Sequence, residues 1–153
     1  MKKLRGLSLF ANVGVAEALF ETIDAEILIA NEIDEKRALF YKELYPNTKM
    51  VCGDITKKEV QKEIIQLARK EKINFIMATP PCQGMSEAGK RNEFDERNQL
   101  IVQTIELINQ INPDFIFIEN VPTILKTKIV VNGEIVKIPD YVRSELSTNY
   151  NLN

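Results

Sequence analysis

The run "FIMATPPCQGMS", Phe75 to Ser86, closes an apolar stretch with two prolines and then Cys82, one of only two cysteines in the chain. A cysteine set just past a buried strand, stiffened by Pro80 and Pro81, could serve as a nucleophile beside a methyl donor, because thiolate character and fixed orientation govern such chemistry. Glu119 closes the later apolar run "DFIFIEN" in the same way. A cysteine and a carboxylic acid suit addition to a pyrimidine ring: the thiolate adds at C6, the acid delivers a proton to N3, and C5 becomes an enamine-like carbon able to attack a methyl group. Glu119 has to be protonated in the complex for this, a state that burial there would favour.

Three other residues follow apolar runs. Gly14 lies in a turn after the first, where backbone N–H groups at a helix N-terminus can meet a ligand; Glu32 ends the second and can accept from two ribose hydroxyls; Asp54 follows the third and can accept from an adenine amino group. Asn12 and Val15 flank the lone glycine, so the G-x-G-x-x-G pyrophosphate cradle is missing and S-adenosylmethionine fits better than NAD. Taken singly each residue has a plainer reading: Gly14 as a turn, Glu32 and Asp34 as solvated caps, Asp54 as a turn former, Cys82 as an inert small residue. Their shared position after successive strands argues for a joint role.

The elements that must position them follow a β-α rhythm. "LRGLSLF" and "AEILIAN" read as strands, each followed by helical spacing. Asp34 is expected to cap "EKRALFYKELY", and Thr56 with Glu59 to form a capping box ahead of Val60, Ile64, Leu67 and Ala68. "FIMAT" and "DFIFIEN" are the fourth and fifth strands, with Ile101, Ile105 and Ile108 at helical spacing between them and Asn112-Pro113 as the stop. Five near-continuous apolar strands separated by helices predict a doubly wound parallel sheet, in which ligands bind beyond the carboxyl ends of the strands. Cys52 falls inside "KMVCGD" and is expected to be a buried structural thiol.

Length and composition agree with one globular domain: 153 residues, 44% hydrophobic and 27% charged. No apolar run approaches the roughly 20 residues that cross a bilayer. The opening "MKKLRGLSLFANVG" is too broken for a secretory signal. Two distant cysteines, no histidine and no C-x-x-C argue against a disulfide framework and a metal site, and suggest a cytoplasmic, reduced protein. A net charge of −2 gives no global attraction to a polyanion, so nucleic-acid binding needs local basic patches or another chain.

The order of these motifs resembles the DNA cytosine-5 methyltransferases: "LSLFANVGVAEALF" for the first cofactor motif, "NEID" and "GDI" for the second- and third-strand motifs, "TPPCQGMS" for the nucleophile and "ENV" for the glutamate. The resemblance runs across nearly the whole chain, and its P-C-Q and E-N-V pair is its specific part. It implies a Rossmann-like α/β sheet dependent on S-adenosylmethionine, C-terminally incomplete, so that residues 1–153 form a partial catalytic domain without a target-recognition domain. It implies Cys82 as nucleophile and Glu119 as its N3 partner, Phe10, Gly14, Glu32, Ile33, Asp54, Ile55 and Pro80 around the cofactor, and Ser86, Lys90 and Arg97 near the DNA. It also implies a place in restriction-modification.

The sequence departs from the family at Asn12 and Val15, where further glycines are usual, and at Ile33, where an aromatic residue is frequent. After "ENVPTILKTK" it carries "KIVVNGEIVKI", whose Asn132-Gly133 signals a two-residue hairpin turn, and then a short helical stretch. The family's arginine motif, recognition domain and last helix are not in this sequence. The expected function is therefore cytosine C5 methylation in DNA by a truncated chain or by one subunit of a split enzyme with a complementary C-terminal subunit. Two alternatives stay open at this stage: a non-catalytic cofactor-binding or interaction remnant, and an RNA cytosine-5 methyltransferase.

Overall fold

The computed structural model describes residues 3–18, 20–81 and 96–152, with Glu21, Glu96 and Arg97 described by their backbone alone. Five strands form one parallel sheet: β1 (Leu4–Leu9), β2 (Ala25–Glu32), β3 (Lys49–Cys52), β4 (Phe75–Ala78) and β5 (Phe115–Ile118), in the order β3-β2-β1-β4-β5. The order reverses at β1, which pairs with β2 on one side and β4 on the other. That reversal opens the crevice in which such sheets receive ligands.

The helices form where the apolar spacing predicts them. Helix α1 (Glu35–Leu44) starts at Asp34, whose carboxylate accepts from the N–H of Arg37 at 3.0 Å. Helices α2 (Lys58–Lys70) and α3 (Leu100–Ile111) turn Ile64, Ala68, Ile101, Ile105 and Ile108 inward. Asn112 ends α3 in the left-handed region, directly before Pro113. Beyond β5, a hairpin of β6 (Lys128–Val131) and β7 (Glu134–Lys137) turns at Asn132 and Gly133, both at positive φ, as the Asn-Gly signal requires. Helix α4 (Ile138–Leu146) follows.

Helices lie on both faces. Ile64, Ile105, Tyr141 and Leu146, from α2, α3 and α4, join Leu7, Leu9, Ile29 and Ile76 in the main core. Tyr41 of α1 packs with Ala11 and Ala30 in a smaller cluster. Ile116 and Ile118 pack toward the main core, so the alternation of a strand turns Phe115 and Phe117 to the other face, where they are 57% and 53% exposed. Among the described residues β5 pairs with β4 alone, which leaves it an edge strand.

Three expectations need correction. The segment after β1 is not a regular helix: among its described residues it consists of turns and one 3-10 turn, Phe20–Thr22. Phe10, Asn12 and Gly14 all adopt positive φ there, which interrupts any right-handed helix. The Thr56/Glu59 capping box is also absent. The residue before α2 is Lys57, without a side-chain cap, because the Thr56 hydroxyl donates to Asp54 instead. Cys52, expected in the core, is exposed: β3 is the other edge of the sheet, and of its last two residues only Val51 points inward.

Candidate functional site

The segments that leave the strands meet along one rim and are tied to each other by hydrogen bonds. The N–H of Ala11 donates to the Asn31 carbonyl and that of Gly53 to the Glu32 carbonyl, both at 2.9 Å. On the other side of β1, the Thr79 hydroxyl donates to the Phe10 carbonyl at 3.2 Å. The N–H of Glu119 donates to the Ala78 carbonyl at 3.0 Å. Asn31, buried at the end of β2, donates through its amide to the carbonyls of Val51 and Gly53 and so fixes the exit of β3. Asn31 has no role in the sequence expectations; the signal for it is a polar amide directly after the apolar run "ILIA".

Glu32 is the most constrained acid on the rim. It is buried, and its two oxygens accept from the N–H of Asn12 and the N–H of Asp34, each at 2.9 Å. A carboxylate has about four acceptor positions, so two donors do not exhaust it. Asp54 is partly exposed and its Oδ1 accepts from the N–H and hydroxyl of Thr56, at 2.9 and 2.8 Å. The Thr56 N–H bond is the main reason its carboxyl sits below the usual carboxylate range. Asp54 is therefore a fixed anion with its second oxygen outside that bond. Directly after Glu32, Ile33 presents an exposed apolar side chain.

The other proposed contacts divide. Phe10 is half-buried and Pro80 buried, both on the rim. Ile55 is 4% exposed and belongs to the main core, so it supports the rim from below and offers it little surface. Gly14 has φ +81, and a Cβ there would lie 2.2 Å from the Tyr45 ring, so the turn requires glycine at this position. Glu119 is exposed, and its neighbour Asn120 reaches across to the Pro80 carbonyl, donating at 2.9 Å. Cys82, Ser86 and Lys90 lie outside the described residues; Arg97 is in the 3-10 turn Glu96–Gln99, with only its backbone described.

The donor and acceptor set fits the adenosine part of S-adenosylmethionine: a buried carboxylate for vicinal hydroxyls, a second anion one strand away for an amino group, and apolar cover from Ile33. No group of three or more acidic, cysteine or histidine side chains is arranged to hold a metal among the described residues. No helix among them is long and apolar enough to cross a membrane. A cavity of about 460 Å³, lined by Phe20, Asp24, Leu44 and Thr48 among others, opens at the amino ends of the strands, away from this rim.

Known proteins resemble this chain in sequence and in fold. The family model for C-5 cytosine-specific DNA methylase matches residues 4–138. The type II methyltransferase M1.HgaI of Avibacterium volantium is 36% identical over 99% of this chain and 44% of its own length. M.FnuDI of Fusobacterium nucleatum is 33% identical over 95% of this chain and 39% of its own. Among solved structures, a prophage-encoded E. coli protein described as a DNA modification methyltransferase superposes with a TM-score of 0.71 at 25% identity, covering 97% of this chain and 39% of that one. The Spodoptera frugiperda DNMT2 variant shares the fold, with a TM-score of 0.63 at 22% identity over 94% of this chain and 40% of its own. The chain thus spans less than half the length of these relatives, and by the match over residues 4–138 it belongs to the C-5 cytosine-specific DNA methylase family.

Proposed function

We propose that residues 1–153 form the cofactor-binding and nucleophile-bearing part of an enzyme that methylates cytosine C5 in DNA, completed by a complementary polypeptide that carries sequence readout. The observation that carries this reading is the Asn120–Pro80 hydrogen bond, which joins the segment of Glu119 to the loop that enters Cys82. A cysteine nucleophile and a carboxyl partner on adjacent strand ends are what addition to a pyrimidine needs.

S-adenosylmethionine, when bound, supplies a methyl group activated by its sulfonium. Glu32 and Asp54 would hold its ribose and adenine, with Phe10, Gly14, Ile33 and Pro80 shaping the crevice and Ile55 supporting it. The Cys82 thiolate forms a bond to C6 of the flipped cytosine, and Glu119 holds a proton at N3, which places electron density on C5. Once C5 carries the methyl group, loss of the C5 proton to a solvent base lets the C6–S bond break and frees Cys82, and the N3 proton returns to Glu119. Ser86, Lys90 and Arg97 would contact the DNA strand. A cytoplasmic location suits the exposed thiol of Cys52, since such compartments keep thiols reduced.

Base flipping costs a few kcal/mol, which DNA contacts must offset. The purified chain alone is therefore expected to methylate no DNA, and to gain activity when mixed with the part of M1.HgaI outside the matched region or with another complementary family segment. Efficient methylation by the single chain would overturn the division of labour; failure of every complementary segment to restore it would remove the enzymatic reading.

A further inference from the structure

The turn after β1 is held from a direction that no motif announces. Tyr45, at the end of α1, donates its hydroxyl to the Gly14 carbonyl at 2.6 Å. The same ring fills the space that a Cβ on Gly14 would need. Within this turn Phe10, Asn12 and Gly14 have φ of 61, 52 and 81. Left-handed conformations at non-glycine residues persist only where the surroundings over-determine them. Here Glu32 grips the Asn12 N–H, Gly14 donates to the Ala11 carbonyl at 2.9 Å, and Tyr45 grips the carbonyl of Gly14.

Tyr45 is itself fixed. Its ring packs against Tyr41 with centroids 4.8 Å apart, and Tyr41 is fully buried with its hydroxyl 3.4 Å from Oε1 of Glu17. Burial, and then the charge of Glu17, push the Tyr41 hydroxyl far above the usual tyrosine range, so it remains a donor. The β2–α1 unit thus grips the turn twice: at its start through Glu32 and at its end through Tyr45.

We propose that Tyr45, backed by Tyr41, is a positioning residue for the cofactor turn, holding the backbone of residues 11–14 in a ligand-ready shape although two of its residues, Asn12 and Gly14, lie at positive φ. The functional half of this proposal rests on the cofactor reading above; the hold on the turn does not.

Tyr45→Phe keeps the ring and removes only the hydroxyl. Tyr150→Phe is the matched control, because the Tyr150 hydroxyl makes a comparable 2.9 Å bond to the Pro113 carbonyl, far from the turn. Amide hydrogen exchange in the cofactor-free chain and calorimetric titration with S-adenosylmethionine are the two measurements. Tyr45→Phe is expected to speed exchange at Ala11, Asn12 and Gly14, and to weaken cofactor binding, each by about tenfold, the size of one lost hydrogen bond. Tyr150→Phe is expected to lower thermal stability similarly while leaving both readouts unchanged. Unaltered exchange in Tyr45→Phe, or equal loss of binding in both variants, would overturn the proposal. Faster turn exchange in a chain whose wild type binds no S-adenosylmethionine would uphold the hold on the turn and sink the cofactor reading instead.

Discussion

The side-chain amide of Asn120 donates to the Pro80 carbonyl at 2.9 Å, while its Oδ1 accepts from the N–H of Val121 at 2.9 Å. One side chain therefore fastens the exit of β5 to the exit of β4, across 40 positions of sequence. The residues on either side of this bond are those with the clearest chemical potential, Glu119 before Asn120 and Cys82 two residues after Pro80. Asn120→Ala is expected to cost about 1 kcal/mol in urea unfolding, the net worth of a hydrogen bond. In the complemented enzyme it should slow covalent trapping of DNA while cofactor affinity holds. Equal loss of trapping and cofactor affinity would show that Asn120 supports the whole rim and has no special bearing on the Pro80 loop.

Glu32 is predicted to matter for cofactor affinity beyond its structural bonds. Glu32→Ala removes the acceptor for Asn12 and Asp34 as well as the proposed ribose contact, so both stability and binding should fall. Glu32→Gln retains one oxygen acceptor and separates the two effects: it should fold nearly as well but bind S-adenosylmethionine more weakly by about 1.5–3 kcal/mol, the range for hydrogen bonds to a charged group. Undiminished calorimetric binding in Glu32→Gln would take Glu32 out of the site.

Most of this scaffold could be read in the sequence because its signals are local. Apolar runs marked all five strands, helical spacing marked Ile64, Ile101, Ile105 and Ile108, and Asp34, Asn112-Pro113 and Asn132-Gly133 acted where their chemistry predicts. What escaped depends on partners distant in sequence. Tyr45 reads in sequence only as the last residue of the helical stretch "EKRALFYKELY", and its bond to Gly14 spans 31 positions. Cys52 looked buried because local sequence does not reveal that β3 is an edge strand. The Thr56 box failed to form because Asp54, two residues earlier, competed for the same hydroxyl. Of the candidate site, the strand-end acids were legible; Asn31 and Asn120 stand inside "NEID" and "ENV", but the bonds by which they hold the strand ends together were not.

Glu17 gives a prediction with a definite sign. It is 3% exposed, and burial is the main cause that raises its carboxyl above the ordinary value of 4.5. The folded chain therefore holds this proton more tightly than the unfolded chain. The stabilisation is complete below the unfolded value and is lost as pH rises from there through the raised folded value. Glu17→Gln, which carries no ionisable proton, should be more stable than wild type by about 1 kcal/mol at pH 8, with the gap closing toward pH 4. Urea midpoints across that range test it; parallel curves for the two proteins would mean that Glu17 does not carry the titration.

Phe115 and Phe117 form an exposed apolar patch on an edge strand, a surface prone to association. Phe117→Lys is expected to shift sedimentation toward the monomer at high protein concentration, with a change in stability of no more than about 0.5 kcal/mol for an exposed site. Association that persists unchanged in Phe117→Lys would locate the contact elsewhere.

The two cysteines provide the sharpest test of the chemistry. Cys52 is exposed at the β3 edge, so it should react with a thiol reagent in the folded chain, though slowly. Partial desolvation, and then the negative charge of Glu35, push its thiol above the usual range and keep little of it as thiolate. Cys52→Ser should remove that labelling and leave complemented methylation intact, because nothing in the proposed reaction touches β3's outer edge. Cys82→Ser should do the reverse. On DNA carrying 5-fluorocytosine the reaction should stop at the covalent adduct, since fluorine cannot leave C5 as a proton does. A serine hydroxyl is a far weaker nucleophile than a thiolate at neutral pH, so the adduct should disappear in Cys82→Ser and persist in Cys52→Ser. An adduct that survives in complemented Cys82→Ser, mapped by peptide mass, would identify another nucleophile and end the assignment of "PPCQ".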